Sequence, residues 1–285
     1  MTAEEELQIR MFVEGLTVSV IKKPSRRDEQ VACGPSDLAN PCDVCVARKI
    51  AASFGMGAHS DDNFSLKAWL GTAVHEKLER DLPLVYPHAE TEITVIIGDI
   101  PNLGPVEGHT DVFVPHKRTV VDYKTSDKAK IEKYKKQAGP GAYTQGLTAQ
   151  ERVELDDLKA RDRAGLLSLE EVNLARLTSL LSRSESNSGG VPPGYMGQTM
   201  LYLYGLRAMG RQADYAALVF IPRDSNYITD LWVASCAYRP DIAEGVIRRA
   251  SHLARLVKTG RTAELTPDPE CWPCVIQPKV RRRMA

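Results

Sequence analysis

The residues best suited to chemistry are two aspartates and a lysine in neighbouring strand-like segments. In the segment TVVDYKT, residues 119–125, Asp122 and Lys124 are two positions apart and therefore lie on one face of a strand. An aspartate and a lysine alone most often form an exposed ion pair. The preceding segment, GHTDVFV, adds Asp111 within an otherwise apolar run. Two carboxylates on adjacent antiparallel strands repel each other unless a cation or proton lies between them, so the two acids together indicate a divalent metal site.

Two further pairs of residues have the i, i+4 spacing that places side chains on one face of a helix. Gly71 and His75 precede the strand-like segments, and Gln198 and Tyr202 follow them. Gly71 would allow the helix to approach another element closely, and the imidazole of His75 is a common metal ligand. Either pair alone is typical of an ordinary helix with a structural histidine or a polar face. Their meaning depends on their order in the chain.

Two C-x-x-C pairs flank these segments, Cys42 with Cys45 on one side and Cys271 with Cys274 on the other. Four thiolates can form a tetrahedral site even when the two pairs are far apart in sequence. Such a site suits zinc or an iron–sulfur cluster, and the spacing does not choose between them. The acidic start MTAEEELQIR and the absence of a long apolar run predict a cytoplasmic protein with reduced thiols and no membrane partner.

The elements that must position these residues form an α/β pattern. A helix predicted over 63–81, capped by Asn63, carries Gly71 and His75 and has an apolar stripe that includes Leu66 and Leu70. Strands are predicted at 90–98, 106–115 and 118–125, and two more follow an aromatic helix, at 213–222 and 227–238. A long helix is predicted at 240–259. These elements begin in the order helix, three strands, helix and strand, and a further strand and the long helix follow.

The part of the chain between the third strand and the aromatic helix differs in composition from the rest. Two capping boxes, Thr148 with Glu151 and Ser168 with Glu171, predict a helical hairpin over residues 148–182. A gate over a DNA channel, a partner-binding surface and an inert insertion all remain open for this hairpin.

The net charge is zero, with 37 Lys and Arg against 37 Asp and Glu, yet the charges are not evenly spread. Five lysines follow the third strand directly and indicate phosphate contacts: Lys128, Lys130, Lys133, Lys135 and Lys136. Further basic residues lie at 48–49 and 281–283, whereas acidic residues concentrate at the start of the chain and in the hairpin. Neutrality therefore does not exclude a nucleic-acid partner, although each basic cluster alone is typical of a solvated face.

The four motifs together resemble those of the PD-(D/E)XK nucleases, in the RecB-like branch that includes the CRISPR-associated four-cysteine exonucleases and the AddB-type repair nucleases. That branch has G-x-x-x-H, G-x-x-D, D-x-K and Q-x-x-x-Y in this order. Here the motifs begin at Gly71, Gly108, Asp122 and Gln198. The resemblance covers about residues 33–275, apart from the insertion at 139–194. It implies a restriction-endonuclease-like core, a central mixed sheet flanked by helices, with the hairpin inserted and a cysteine-ligated metal lobe joining the termini.

The resemblance also implies roles for the residues. His75, Asp111, Asp122 and the main-chain carbonyl of Tyr123 would hold Mg²⁺ or Mn²⁺. Lys124 would orient the attacking water and offset the charge that builds on the phosphate. Gln198 and Tyr202 would position the scissile strand. Glu92 falls where this branch often has a glutamate, with Glu90 as a competing choice.

For the cysteines, the resemblance implies a [4Fe–4S] cluster held by Cys42, Cys45, Cys271 and Cys274, with zinc as the alternative. The family usually has one cysteine before the core and three after it, whereas this chain has two and two. The ligand assignment is therefore open, and Cys33 is a possible substitute. Cys236, in the apolar segment DLWVASCAY, is expected in the core.

The predicted function is a Mg²⁺- or Mn²⁺-dependent DNA exonuclease acting on single-stranded ends in recombination, repair or end processing. Alternatives are a structure-specific or flap endonuclease with the same site, a nuclease-fold DNA-binding module for a helicase, recombination or integrase partner, and a purely structural zinc protein. The predicted division is a peripheral segment 1–32, a metal lobe from 33–62 and 261–285 that ends in a basic tail, a nuclease core from 63–138 and 195–260, and the insertion 139–194.

Overall fold

The computed structural model describes residues 32–56, 66–137, 149–164, 190–269 and 271–276, together with scattered positions between residues 8 and 21. These ranges include every candidate site residue named above except the arginines at 281–283. Among the helices within these ranges, none has both the length and the apolar character needed to cross a bilayer.

A five-stranded mixed sheet forms the centre of the molecule, in the spatial order β1-β2-β3-β4-β5. The strands are β1 (Glu90–Ile100), β2 (Gly104–Val114), β3 (Thr119–Ser126), β4 (Tyr215–Pro222) and β5 (Trp232–Ala237). The first three strands are antiparallel, β4 is parallel to β3, and β5 is antiparallel to β4. The predicted α/β class and mixed sheet are confirmed. The predicted start of the last strand at 227 is wrong, because Ile228–Asp230 forms a short 3-10 turn instead.

Seven helices of the described ranges surround the sheet. They are α1 (Pro35–Leu38), α2 (Asp43–Ser53), α3 (Leu66–Val85), α4 (Lys128–Gln137), α5 (Ala149–Arg163), α6 (Pro193–Ala208) and α7 (Pro240–Lys258). Of the predicted hairpin, α5 forms the first helix, and the second falls outside the described residues. The expected caps Asn63 and Thr148 also lie outside them.

Helix α6 is the buried centre of the core, with Met200, Leu201, Leu203 and Leu206 all inaccessible to solvent. It lies very close to β1 because Gly205 has no side chain: a Cβ there would be 2.8 Å from the carbonyl oxygen of Ile96. Burying these large apolar side chains contributes about 2 kcal/mol each. A rigid core helix of this kind suits the placement of polar side chains at its first turns, where Gln198 and Tyr202 lie.

Helix α3 differs from the expectation in one respect. Its predicted apolar stripe is not buried, since none of its residues is fully covered and Leu66 and Leu70 are 52% and 41% exposed. The helix nevertheless reaches the sheet through Gly71, where a Cβ would lie 3.0 Å from Oγ1 of Thr125. The glycine, rather than the stripe, therefore brings α3 to the end of β3.

Candidate active site and cysteine centre

The two aspartates meet where the ladder between β2 and β3 stops. Its last pair is Val112 with Val121, one residue short of both acids. Beyond that point the Asp111 carboxylate accepts a hydrogen bond from the main-chain N–H of Tyr123, with Oδ2 at 2.8 Å. A carboxylate oxygen of Asp111 thus takes the place of a backbone acceptor for this N–H group of β3. Asp111 is held by the sheet itself, beside Asp122.

Helix α3 adds the histidine. Nδ1 of His75 lies 3.0 Å from Oδ1 of Asp111, and both side chains are nearly buried. The two oxygens of Asp111 therefore contact elements on opposite sides, α3 and β3. This arrangement brings together the imidazole and a carboxylate that the sequence predicted as metal ligands.

A chain of polar contacts leads from Asp122 to helix α6. Nζ of Lys124 is 2.6 Å from Oδ2 of Asp122 and donates a hydrogen bond to Oε1 of Gln198 at 3.1 Å. Nε2 of Gln198 in turn donates to the hydroxyl of Tyr202 at 2.8 Å. The Lys124 ammonium also lies 5.2 Å from the ring centre of Tyr195, a cation–π distance. The four predicted residues Asp122, Lys124, Gln198 and Tyr202 therefore form one connected series of contacts. Tyr195 adds its ring to this series.

The two acids differ in their electrostatics. Burial raises the pKa of Asp122, and the neighbouring charge of Asp111 adds to that effect against the opposing Lys124 ammonium. Burial also acts to raise the pKa of Asp111, but the hydrogen bond and charge of His75, with Lys124 and the Tyr123 N–H, outweigh it and lower the pKa. Asp111 is therefore the more easily ionised of the two acids, and ionising Asp122 costs more free energy.

The donor set at this site fits a hard divalent cation. Oδ2 of Asp122 is fully buried and lies 2.6 Å from Nζ of the Lys124 ammonium. Two carboxylates and an imidazole are oxygen and nitrogen donors of the kind that Mg²⁺ and Mn²⁺ accept. His75, Asp111 and Asp122 do not, however, bring one ligand atom each within 4.8 Å of one another; among the described residues only the cysteines do so.

Two glutamates on β1, Glu90 and Glu92, are the alternatives for the glutamate that the family resemblance implies. Glu90 is bound by the guanidinium of Arg211, through Nη1 at 2.8 Å and through a second, shorter contact. Glu92 lies between Thr91 and Ile93, which pair with Val112 and Thr110, so it is opposite Asp111. Its φ of 49° is left-handed, a strained conformation for a glutamate within a strand. The position opposite Asp111 favours Glu92 over Glu90, and no sequence pattern predicted the strained backbone of Glu92.

The lysines after β3 all lie on α4 or at its start, but they are not equivalent. Lys128 forms an ion pair with Asp230 at 2.6 Å, and Lys135 pairs with Glu132 at 2.8 Å. The other three are exposed to solvent, at positions Lys130, Lys133 and Lys136. Their role in binding DNA stays a prediction, and the exposed three are the better placed for it.

The four cysteines of the two C-x-x-C pairs converge, with one sulfur each within 4.8 Å of all the others. The N-terminal and C-terminal parts of the chain are therefore joined at one four-cysteine group that could hold a metal ion, as predicted. Cys33 does not belong to this group: it is buried, and its thiol is directed at Oγ of Ser53. Cys236 is buried against Sδ of Met196, in agreement with its predicted place in the core.

The segment that leads into the cysteine group also touches the site. A Cβ on Gly108 would lie 2.5 Å from Cδ of Pro35 and 3.2 Å from the ring of Tyr202. A Cβ on Gly197 would lie 3.1 Å from Cβ of Ala39. Residues 35–41, which we call the strap, thus pack between β2 and the first turns of α6. Apart from Gly108 of the G-x-x-D motif, the sequence carried no signal for this contact.

Comparison with known proteins gives structural similarity only. No protein-family model matches the chain, and no curated protein matches it. The crystal structure of LHK-Exo in complex with dAMP is 11% identical, with 82% of this chain and 91% of that chain covered and a TM-score of 0.44. A phage-related exonuclease from Haemophilus somnus 129PT is 10% identical, with coverage of 82% and 96% and a TM-score of 0.40. SSO0001 is 16% identical, with coverage of 90% and 87% and a TM-score of 0.37. At these identities and scores, function must be inferred from the site itself.

Proposed function

We propose that this chain is a metal-dependent deoxyribonuclease that hydrolyses phosphodiester bonds, as an exonuclease on single-stranded DNA ends. The observation that carries the proposal is the pair of carboxylates, Asp111 and Asp122, at the open end of the β2–β3 ladder beside the ammonium of Lys124. Burying two acids and a cation together costs free energy of folding. Metal-assisted hydrolysis is a function that requires such a group of charges.

The proposed metal ligands are His75, Asp111, Asp122 and the main-chain carbonyl of Tyr123. Mg²⁺ or Mn²⁺ held there would supply positive charge that polarises the phosphate and favours ionisation of the attacking water. His75 and the Tyr123 N–H fix both oxygens of Asp111, so the carboxylate is oriented before substrate binds. This preorganisation lowers the reorganisation that the reaction would otherwise need.

Lys124 supplies the second positive charge of the site. Gln198 accepts its hydrogen bond and Tyr195 offers its ring face, so the ammonium is held in a largely covered place without being neutralised by α6. From there it orients the attacking water and offsets the negative charge that builds on the phosphate oxygens. Gln198 and Tyr202, linked to each other at 2.8 Å, hold that geometry and contact the scissile strand.

The substrate assignment rests on two supports. The motif order resembles DNA exonucleases and repair nucleases, and the exposed lysines at 130, 133 and 136 directly follow the catalytic strand along α4. Such a row suits the phosphates of a single strand. A role in recombination, repair or end processing, with a helicase or recombination partner, belongs to the same proposal.

Cleavage assays on DNA of defined topology test the proposal. Linear single strands labelled at the 5′ or the 3′ end should be shortened in Mg²⁺ or Mn²⁺, whereas circular single strands should survive. Asp111→Asn should abolish shortening, and Asp99→Asn, an exposed acid on β1, is the matched control that should not. Rapid cleavage of circular single-stranded DNA would show that the protein is an endonuclease and not an exonuclease. Shortening by Asp111→Asn at the rate of the unmodified protein would refute the site.

A further inference from the structure

The sulfur atoms of the cysteine group are closely spaced. Sγ of Cys45 lies 3.4 Å from Sγ of Cys271 and 3.4 Å from Sγ of Cys274, and Sγ of Cys42 lies 3.8 Å from Sγ of Cys274. No sulfur is more than 4.8 Å from another. The two C-x-x-C pairs, although more than 220 residues apart, therefore enclose a small space.

This spacing distinguishes between the two candidate centres. Around a single tetrahedral ion with metal–sulfur bonds of about 2.3 Å, the sulfurs lie about 3.8 Å from one another. In a [4Fe–4S] cluster each thiolate binds a different iron at a corner of a cube, so the sulfurs must stand farther apart than around one ion. The three distances of 3.4–3.8 Å, and the bound of 4.8 Å for the other pairs, are closer to the spacing around a single ion and are too short for the cube.

We propose that the cysteine centre holds one tetrahedrally coordinated zinc-class ion, bound by Cys42, Cys45, Cys271 and Cys274, in place of the [4Fe–4S] cluster that the family resemblance implies. The division of the ligands into two C-x-x-C pairs is the usual arrangement of closed structural zinc sites. It is also the point at which the sequence departs from the family pattern of one and three cysteines.

The surroundings of the group suit such an ion. Four thiolates around a divalent ion leave an excess of two negative charges, and Nη1 of Arg48 lies 3.6 Å from Sγ of Cys274. On either side of Cys42 in the sequence, Asp43 pairs with Arg249 of α7 at 2.6 Å and the carbonyl of Asn40 accepts a hydrogen bond from Arg249 at 2.7 Å. The N-terminal ligand segment is therefore also anchored to helix α7.

Metal analysis of the full-length chain tests the inference, and its result does not depend on nuclease activity. The protein is purified without oxygen from cells grown with both iron and zinc, and zinc, iron and acid-labile sulfide are measured per chain. We expect about one zinc, no sulfide and a colourless protein. About four irons and four sulfides per chain, with a brown colour, would overturn the proposal.

A cobalt experiment covers the case in which the purified chain has lost its metal. Co²⁺ added to the metal-free chain should give the visible absorption of tetrahedral thiolate coordination, with saturation at about one equivalent. Cys274→Ser should weaken that absorption, whereas Cys33→Ser, outside the group, should leave it unchanged. A chain that holds no metal and gives no thiolate absorption with Co²⁺ would also overturn the proposal.

Discussion

The two candidate metal sites of this molecule are assembled in opposite ways. At the cysteine centre the ligands come from distant parts of the chain, and their sulfurs already converge within 4.8 Å. At the proposed active site the proposed ligands lie on α3, β2 and β3, and the side chains contact other protein groups: His75 contacts Asp111, and Lys124 contacts Asp122. The cysteine centre therefore joins segments that are far apart in sequence, whereas the proposed active site is formed by elements of the core.

This difference predicts that the two metals act on different properties. Loss of the cysteine-bound ion should reduce stability, because binding free energy at such a site is also folding free energy. Loss of the active-site ion should abolish activity and leave the fold intact, because the sheet and α6 position those residues without it.

The largest effect is expected from removal of the lysine at the active site. Lys124→Ala takes away the ammonium beside Asp122 and should lower the cleavage rate roughly 10²–10³-fold, the usual consequence of losing one preorganised electrostatic group. The thermal midpoint should hardly change, since removal of the ammonium is offset by easier protonation of Asp122. Initial rates and melting curves are measured together, with the exposed Lys117→Ala as control. A large fall in stability with little loss of rate would make Lys124 structural.

The second prediction concerns the cysteine centre. Cys271→Ser should lower the free energy of unfolding by about 3 kcal/mol or more, as loss of one ligand from a closed metal site does. For a chain of this size that corresponds to a fall of roughly 6–12 °C in the melting temperature. Cys236→Ser, buried but outside the group, serves as the control. Equal melting temperatures for Cys271→Ser and the unmodified protein would show that the cysteine group does not stabilise the fold through a bound metal.

The third prediction tests whether the strap connects the two regions. Gly108→Ala places a Cβ against Pro35 and the ring of Tyr202, and such overpacking costs roughly 1–3 kcal/mol. Because Tyr202 must shift, the rate should also fall several-fold. Gly245→Ala is a matched control, since its Cβ would meet nothing within 4 Å on helix α7. If the two variants behave alike in both assays, the strap has no influence on the site.

The smallest effect is expected from the exposed lysines of α4. Replacing Lys130, Lys133 and Lys136 by Gln should weaken binding of single-stranded DNA and flatten its dependence on salt, by about one unit of log–log slope for each phosphate contact that is lost. Cleavage at saturating DNA should stay unchanged. Replacing Lys128 and Lys135, which already pair with Asp230 and Glu132, should change the salt dependence less. A larger change in salt dependence on replacing Lys128 and Lys135 would contradict the proposal that the three exposed lysines contact the DNA phosphates.

The strand pattern allowed much of the fold to be predicted from the sequence. Alternation and turn residues indicated all five strands, and the adjacency of two of them predicted that Asp111 and Asp122 lie close together, in agreement with the register of β2 and β3. The start of β5 was misjudged because Tyr227 and Ile228 look like strand residues, although they enter a 3-10 turn that buries Asp230 against Lys128. Tertiary contacts outweighed local propensity there.

The details of the two sites were less accessible to sequence reasoning. Three details depend on how elements distant in sequence pack, which the periodicity of the sequence does not indicate. They are the φ of Glu92, the contact of Pro35 with Gly108 and the position of the Tyr195 ring over Lys124. The exclusion of Cys33 from the metal group likewise follows from its burial beside Ser53. The resemblance implies a [4Fe–4S] cluster, whereas the sulfur distances, which the sequence does not give, favour a single ion.

The most direct test of metal-dependent hydrolysis at Asp111 and Asp122 is a titration of the cleavage rate with Mn²⁺, using the unmodified protein and Asp122→Asn. The unmodified protein should be inactive in chelator and gain activity with increasing Mn²⁺. Asp122→Asn should stay folded, because the amide removes a buried charge without changing shape, and should not cleave at any Mn²⁺ concentration. Cleavage by Asp122→Asn at the unmodified rate, or cleavage by the unmodified protein in chelator, would contradict the account.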